Sequence, residues 1–277
     1  MNRPILTVPV QKIEGDSSAP FQDLLAVEEP LEIRLQHNLD DKSISITMRT
    51  PGYDFELAAG FLFSEGILHS ASQIREIRWS HPANGNPRQL GNSVTVELNP
   101  GVEVDLERLE RHFYTTSSCG VCGKASIEAI EMQGCPVLPR NLPVIESSVI
   151  HLLPEALRRA QPVFERTGGL HAAALFSPDG ALQLLREDVG RHNAVDKLIG
   201  AEILAHHTPL DNRLLFVSSR ASFELVQKAL MAGIPILAAV GAPSSLAVET
   251  AQRFNMTLLG FVRDARFNIY SGASRIQ

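Results

Sequence analysis

Two cysteines separated by two residues are the feature of the sequence best suited to chemistry. Cys119 and Cys122 enclose Gly120 and Val121. A pair with this spacing supports three chemistries: two thiolates can ligate zinc, the pair can cycle between dithiol and disulfide, or one thiolate can act as a nucleophile. Neighbouring Ser and Thr side chains, backbone N–H groups and Lys124 favour the charged form of the sulfur.

The residues around this pair bear on the three alternatives. Structural zinc requires two more ligands, and Cys135 is the only other cysteine. A thioredoxin-like pair opens a helix directly after a buried strand, whereas four consecutive Thr and Ser residues, 115–118, precede this one. The run of small residues predicts an exposed, mobile loop, which suits a thiolate that moves between a donor and an acceptor. The plainer alternative is a flexible surface loop whose cysteines are incidental.

A histidine lies among small residues in the second half of the chain. His171 follows Gly168, Gly169 and Leu170 and precedes two alanines, so the backbone can approach a ligand closely there. The residue is either a structural histidine or a reactive one.

The segment 187–197 concentrates charged, His and Asn side chains. Asp188 is expected to cap a helix, and Gly190 to allow a tight entry into it. His192 and Asp196 lie four residues apart on one helix face, as do Asn193 and Lys197. The segment is therefore either a functional site or a solvated helix face with paired side chains.

Three turns combine small or basic residues directly after apolar runs. They are residues 218–222, after the run Leu214–Val217, residues 241–245, and residues 263–266, after the run Leu258–Val262. Ligands of α/β sheets gather at the carboxyl ends of strands, and free N–H groups at a helix start bind phosphate together with arginine. The three turns predict a nucleotide-sized pocket along one edge of one sheet.

The elements that must position these residues divide the chain into four parts. Residues 1–28 have weak periodicity and are expected to form a loose arm. Residues 29–112 predict a small α+β domain, with strands near 31–35, 43–48, 74–79 and 93–98 and a helix capped by Asp54. Residues 113–150 contain the cysteine loop and a connector, with a short helix near 125–132. In residues 151–277 apolar strands alternate with helices, which indicates a parallel or mixed sheet covered on both faces.

Composition and charge restrict the class of protein. The chain has 277 residues and a formal charge of −6, so bulk attraction to nucleic acid is not expected. No run of residues approaches the ~18 apolar residues of a membrane span, and no membrane association is expected. Three cysteines, an odd number, make a poor disulfide framework and indicate a reduced, cytoplasmic chain.

Five motifs together give the chain a specific resemblance. In this order along the chain, they resemble the formate dehydrogenase accessory sulfurtransferase family, FdhD, and the likeness extends from about residue 28 to residue 270. The motifs are residues 64–67 (Ser-Glu-Gly-Ile), 119–123, 169–173, 187–197 and 218–222.

The resemblance implies a fold and an activity. It implies a C-terminal three-layer α/β/α domain like that of cytidine deaminase, a smaller N-terminal α+β domain and a mobile loop with the two cysteines. Members of the family take persulfide sulfur from a cysteine desulfurase. They pass it to a molybdenum or tungsten bis-molybdopterin guanine dinucleotide cofactor for apo-formate dehydrogenase. Cys119 corresponds to the persulfide carrier, Cys122 is a relay or assistant, and a homodimer is expected.

The resemblance and the residue patterns together define a set of expected cofactor contacts. Turn 261–266 is expected to hold the guanine nucleotide, so GDP-like nucleotides should mimic part of the cargo, and no resident metal is expected. The cofactor-binding candidates are Phe261, Val262, Arg263, Asp264, Ala265, Arg266, Ser218, Ser219, Arg220, His171, Asp188, Gly190, Arg191, His192 and Lys197.

Three other functions compete with sulfur transfer. A zinc deaminase requires an H-x-E motif and a later P-C-x-x-C motif, but His171 is followed by two alanines and the cysteine pair precedes it. The second alternative is a non-catalytic chaperone that only binds the cofactor. The third is a dithiol oxidoreductase that cycles through a disulfide between Cys119 and Cys122.

Overall fold

The computed structural model describes residues 3–38, 40–80, 91–104, 135–263 and 265–277. Cys119 and Cys122, the expected helix near 125–132, and Asp264 lie outside the described residues. Strands and helices are numbered below in chain order within the described part.

A long hairpin begins the described chain. β1 (Ile5–Glu14) and β2 (Ser17–Ala26) pair antiparallel over ten residue pairs. The expectation of a loose arm is therefore wrong at the level of secondary structure. Both faces of the hairpin are largely exposed. Because neither face is buried, the sequence lacks the alternation by which a half-buried strand is recognised.

A four-stranded sheet follows, in the order β4-β3-β6-β5. All four strands predicted for this region are confirmed. β3 pairs antiparallel with β4 and parallel with β6, and β5 pairs antiparallel with β6. The strands are β3 (Glu29–His37), β4 (Asp40–Arg49), β5 (Ile74–Trp79) and β6 (Ser93–Leu98).

The helix α1 (Asp54–Ser64) connects β4 to the rest of this unit. Its N-cap is Tyr53, with a φ of 59°, so the expectation that Asp54 caps the helix is wrong. The carboxylate of Asp54 instead accepts hydrogen bonds from Arg49 Nε at 2.5 Å and from the backbone N–H of Gly52 at 3.1 Å. Asp54 therefore compensates the buried guanidinium of Arg49 and fixes the turn before the helix.

A six-stranded mixed sheet forms the centre of the second half, in the order β12-β11-β10-β9-β7-β8. β9, β10 and β11 are parallel, and β7, β8 and β12 run antiparallel to their neighbours. The predicted mixed sheet is confirmed. The strands are β7 (His171–Phe176), β8 (Leu182–Asp188), β9 (Leu214–Val217), β10 (Ile236–Ala239), β11 (Thr257–Arg263) and β12 (Arg266–Ser271).

Helices cover both faces of this sheet. On one face Ala173 and Leu175 of β7 join a buried cluster with residues of α4 and α5, and on the other Phe176 joins a cluster with Ile150 and Leu153 of α2. The cytidine-deaminase-like arrangement stays a prediction. The helices are α2 (Ser147–Arg159), α3 (Pro162–Thr167), α4 (Arg191–Leu204), α5 (Phe223–Met231) and α6 (Ser245–Arg253).

Two glycines bring α1 and α4 into close contact. A Cβ atom on Gly60 would lie 1.9 Å from the carbonyl oxygen of Asp196, and one on Gly200 would lie 1.9 Å from that of Glu56. The backbones of the two helices are therefore in direct contact. Apolar residues of the four-stranded and the six-stranded sheets belong to one buried cluster. Within the described ranges, no helix has the length and apolar character needed to cross a membrane.

Candidate functional site

Strand pairing brings the predicted turns to one edge of the six-stranded sheet. His171, at the start of β7, pairs with Asp188, at the end of β8. Ala173 pairs with Val217, the last residue of β9, and the parallel strands β10 and β11 end on the same side. This edge, called the carboxyl edge below, therefore carries all three turns that follow β9, β10 and β11.

Three helices begin at the carboxyl edge. α4 follows β8, α5 follows β9 and α6 follows β10, with Gly190, Ser222 and Ser244 as the respective N-caps. Asp188 is thus not the N-cap that the sequence suggested. Its carboxylate accepts a hydrogen bond from the N–H of Gly190 at 2.8 Å. Because helix N-termini carry partial positive charge, three of them on one side of the sheet favour an anionic ligand there.

The turn after β9 is built by its own serines. Ser218 Oγ accepts a hydrogen bond from the N–H of Ala172 at 2.9 Å, and Ser219 Oγ donates to the carbonyl oxygen of Arg220 at 3.0 Å. Ser219 is buried, whereas Arg220 is exposed. The two serines therefore shape the turn, and Arg220 is its solvent-facing cation. Gly241 of the next turn packs against Arg220, where a Cβ would come within 2.9 Å.

Turn 261–266 joins β11 to β12 and presents two arginines. Arg263 and Arg266 are exposed and lie opposite each other across the two strands. Phe261 has a φ of 55°, and its N–H donates to the carbonyl oxygen of Gly241 at 3.1 Å. A left-handed conformation costs an aromatic residue about 1–3 kcal/mol, and such strain concentrates at functional sites. Val262 is buried and Ala265 is exposed.

Asp188 and Lys197 form a buried ion pair below the carboxyl edge. Lys197 Nζ lies 2.6 Å from Asp188 Oδ2, and the side chains are 1% and 0% exposed. Asp188 also accepts hydrogen bonds from the N–H of Thr50 and from Asn193 Nδ2, both at 3.1 Å. These contacts give the two residues a positioning role. Direct contact of either with a cofactor stays a prediction.

The interpretation of 187–197 as a solvated helix face is wrong. Asn193, Asp196 and Lys197 are buried against the N-terminal unit and α5. Asp196 pairs with Lys228 Nζ at 2.8 Å rather than with His192, and it accepts a hydrogen bond from Ser64 Oγ at 3.0 Å. The polar side chains of this helix face are therefore compensated inside the protein.

Two imidazoles and a guanidinium stand nearer the surface at the carboxyl edge. His171, Arg191 and His192 are each half-buried. The Nε2 atom of His192 lies 3.3 Å from Ser222 Oγ and 3.9 Å from Glu224 Oε2. The carboxyl edge therefore carries imidazoles that can form hydrogen bonds and a guanidinium cation.

Burial and nearby cations keep both imidazoles neutral. Burial, with Lys228, Arg191 and His171, lowers the pKa of His192 to about 4, against an opposing effect of Glu224. Burial and then Arg191 lower the pKa of His171, while Asp188 opposes the shift. At neutral pH the edge therefore offers uncharged imidazoles beside the cations Arg191 and Arg220.

Several residues of this region carry no local sequence signal. Thr50, Ser64, Lys228 and Glu224 come from elements distant along the chain, and each contacts a residue of the segment 188–196. Apart from Ser64, which falls in one of the resembling motifs, sequence reasoning missed them. Of these residues, Lys228 lies among apolar residues of a largely apolar helix, and that position could have drawn attention to it.

The remaining cysteine is chemically quiet. Cys135 is buried, and burial raises the pKa of its thiol to about 12. Its sulfur lies 3.1 Å from that of Met231. Among the described residues, no group of three or more His, Cys, Asp or Glu side chains is arranged to hold a metal ion.

The fold and the carboxyl edge define the class of protein: a mixed α/β protein whose strand-exit turns carry exposed arginines. The model of the FdhD/NarQ family matches residues 26–277, and the chain belongs to that family.

Named relatives and a solved structure agree with this assignment. The chain is 53% identical over 268 residues to a protein named sulfur carrier protein FdhD from Streptomyces avermitilis, covering 96% of this chain and 94% of that one. It is 48% identical to the protein of the same name from Mycobacterium tuberculosis, with 96% of both chains covered. The chain is also similar to a crystal structure from Desulfotalea psychrophila, which is described as that of a formate dehydrogenase accessory protein. The TM-score is 0.75 at 25% sequence identity, and 99% of each chain is covered.

Proposed function

We propose that this protein is a sulfur carrier that serves the maturation of formate dehydrogenase. The observation that carries the proposal is its identity of 45–53%, over nearly the whole chain, to proteins named sulfur carrier protein FdhD. The solved relative described as a formate dehydrogenase accessory protein supports the second half of the proposal.

The proposed first step is a transfer of sulfur to Cys119. The Cys119 thiolate attacks the terminal sulfur of a cysteine desulfurase persulfide. A new S–S bond forms at Cys119 as the donor's S–S bond breaks, and the donor's cysteine leaves as a thiolate. No external oxidant or reductant is needed, because one persulfide is exchanged for another. Cys122 is proposed to assist this transfer.

The proposed cargo is a molybdenum or tungsten cofactor with two guanine dinucleotide tails. The carboxyl edge suits its diphosphates, because three helices begin there and Arg191 and Arg220 lie in the same turns. Turn 261–266 is proposed to hold the guanine nucleotide through Arg263 and Arg266. A homodimer would offer one pocket to each tail. The loaded cofactor then passes to apo-formate dehydrogenase, and the exchange is proposed to occur in the cytoplasm.

Mass spectrometry tests the sulfur carrier directly. The purified protein is incubated with a cysteine desulfurase and cysteine, and peptides are mapped for one added sulfur. We expect the sulfur on Cys119 in the wild type and none on the loop of Cys119→Ala. Cys135→Ala is the matched control and should load like the wild type, because the Cys135 thiol is buried and protonated. Full maturation of formate dehydrogenase by Cys119→Ala would refute sulfur carriage on this residue.

A further inference from the structure

Thr50, the residue directly after β4, forms hydrogen bonds with the turn that leads from β8 into α4. The N–H of Thr50 donates to Asp188 Oδ2 at 3.1 Å, and Lys197 Nζ donates to the carbonyl oxygen of Thr50 at 2.8 Å. The hydroxyl of Thr50 accepts a hydrogen bond from the N–H of Val189 at 3.2 Å. Thr50 is 3% exposed, and both its backbone and its side chain form hydrogen bonds with the same buried region.

A second residue of the turn is held from the same strand. Asn193 Nδ2 donates to the carbonyl oxygen of Met48 at 2.7 Å, and Asn193 Oδ1 accepts from Thr47 Oγ1 at 3.1 Å. The segment 47–50 therefore contacts the turn on both sides of Arg191 and His192. The side chains of these two residues, which face the carboxyl edge, stand on a backbone fixed at both ends.

The Thr50 hydroxyl is the acceptor for the N–H of the peptide between Asp188 and Val189, at the end of β8. The N–H of Gly190 is bound by Asp188 within the same turn, but the N–H of Val189 depends on Thr50 from the N-terminal unit. If that acceptor is removed, the peptide between Asp188 and Val189 can rotate towards another acceptor. Such a rotation moves the first turn of α4, and with it Arg191 and His192.

We propose that Thr50 is a positioning residue for ligand binding at the carboxyl edge: its hydroxyl fixes the Val189–Gly190 turn and thereby the orientation of Arg191 and His192. This inference rests on the proposed function, in which the edge binds the guanine nucleotide part of the cargo. The four-stranded sheet would then contribute to binding, because the segment at the end of β4 supplies hydrogen bonds that hold Val189 and Asn193.

The test compares two substitutions of Thr50 with a matched control. Thr50→Val keeps the shape of the side chain and removes the hydroxyl, and Thr50→Ser restores the hydroxyl. Thr250→Val is the control, because Thr250 is also fully buried and its hydroxyl donates to a helix carbonyl, that of Leu246, at 2.7 Å. GDP affinity is measured by calorimetry, and the His192 ring resonances are followed by NMR as the pH is changed.

We expect Thr50→Val to weaken GDP binding by about 3- to 10-fold, the scale of one hydrogen bond, and to shift the His192 titration. Thr50→Ser should bind within about twofold of the wild type on the same scale. Thr250→Val should leave both readouts unchanged even where it lowers the thermal midpoint. Equal GDP affinity in wild type and Thr50→Val, or a failure of Thr50→Ser to restore binding, overturns the positioning role alone. A wild type that does not bind GDP removes the nucleotide site and this inference with it.

Discussion

The ammonium group of Lys197 lies 2.6 Å from the carboxylate of Asp188, and water reaches neither side chain. Lys197 also donates to the backbone of Thr50, and Asp188 accepts from the backbone of Thr50 and Gly190. The ion pair therefore joins three segments that are distant along the chain: the end of β4, the end of β8 and the interior of α4. It couples the stability of the fold to the geometry of the carboxyl edge.

Replacement of Lys197 by Met should destabilise the protein by about 3–5 kcal/mol, because it leaves the buried Asp188 carboxylate without its counter-charge. Urea unfolding measures the change. Lys12→Met is the matched control, since Lys12 pairs with Glu14 on the exposed hairpin and should cost less than about 1 kcal/mol. Equal losses for the two variants would contradict the role given to the buried pair.

His192 should make stability depend on pH in the mildly acid range. Its pKa falls from an ordinary value of 6.5 to about 4 in the folded protein, so between these values the unfolded chain binds more protons. The contribution of His192 to stability is therefore full above about pH 6.5 and falls as the pH is lowered towards 4. His192→Gln should flatten this part of the profile, as measured by thermal midpoints at several pH values. An unchanged slope would show that His192 is not responsible.

A methyl group on Gly60 should disrupt the contact between α1 and α4. The added Cβ would lie 1.9 Å from the carbonyl oxygen of Asp196, which is backbone and cannot rotate away. We expect Gly60→Ala to lose about 3 kcal/mol or more, at the upper end of overpacking costs. At Gly169 an added Cβ meets Ala26 at 3.5 Å and Thr167 at 3.9 Å, both ordinary van der Waals distances, so Gly169→Ala should stay within about 1 kcal/mol of the wild type. Similar midpoints in urea for both variants would refute the close crossing.

Removal of the Arg266 guanidinium should weaken GDP binding by roughly 1–3 kcal/mol, the scale of a charge-assisted hydrogen bond. Arg213→Ala is the matched control, because Arg213 precedes β9 and lies at the opposite edge of the same sheet. Calorimetric titration with GDP measures both affinities. Unchanged affinity in Arg266→Ala would exclude Arg266 from the nucleotide site.

The sequence predicted the elements whose side chains alternate between core and solvent. β3 buries Leu31, Ile33 and Leu35 on one face, and this local pattern is visible without a structure. The hairpin of β1 and β2 has no buried face, and β12, a sheet-edge strand that is largely exposed, was missed for the same reason. Alternation of apolar and polar residues appears only where one face of a strand is buried. Strands without a buried face therefore cannot be recognised by this pattern.

For the site, the sequence indicated the right segments but could not assign tasks within them. The turns after β9, β10 and β11 could be placed at one edge because parallel strands end on the same side. That Asp188 and Lys197 neutralise each other, and that Lys228 reaches Asp196, depends on contacts between residues far apart in the chain. No local spacing encodes such contacts.

The contact of Gly60 and Gly200 with the opposite helix backbone makes the spacing of α1 and α4 a property of the main chain. Side chains elsewhere in the shared core can then change in size without separating the two helices. Substitutions in the apolar interior can in this way leave the arrangement of the strand ends unchanged, provided that both glycines are kept.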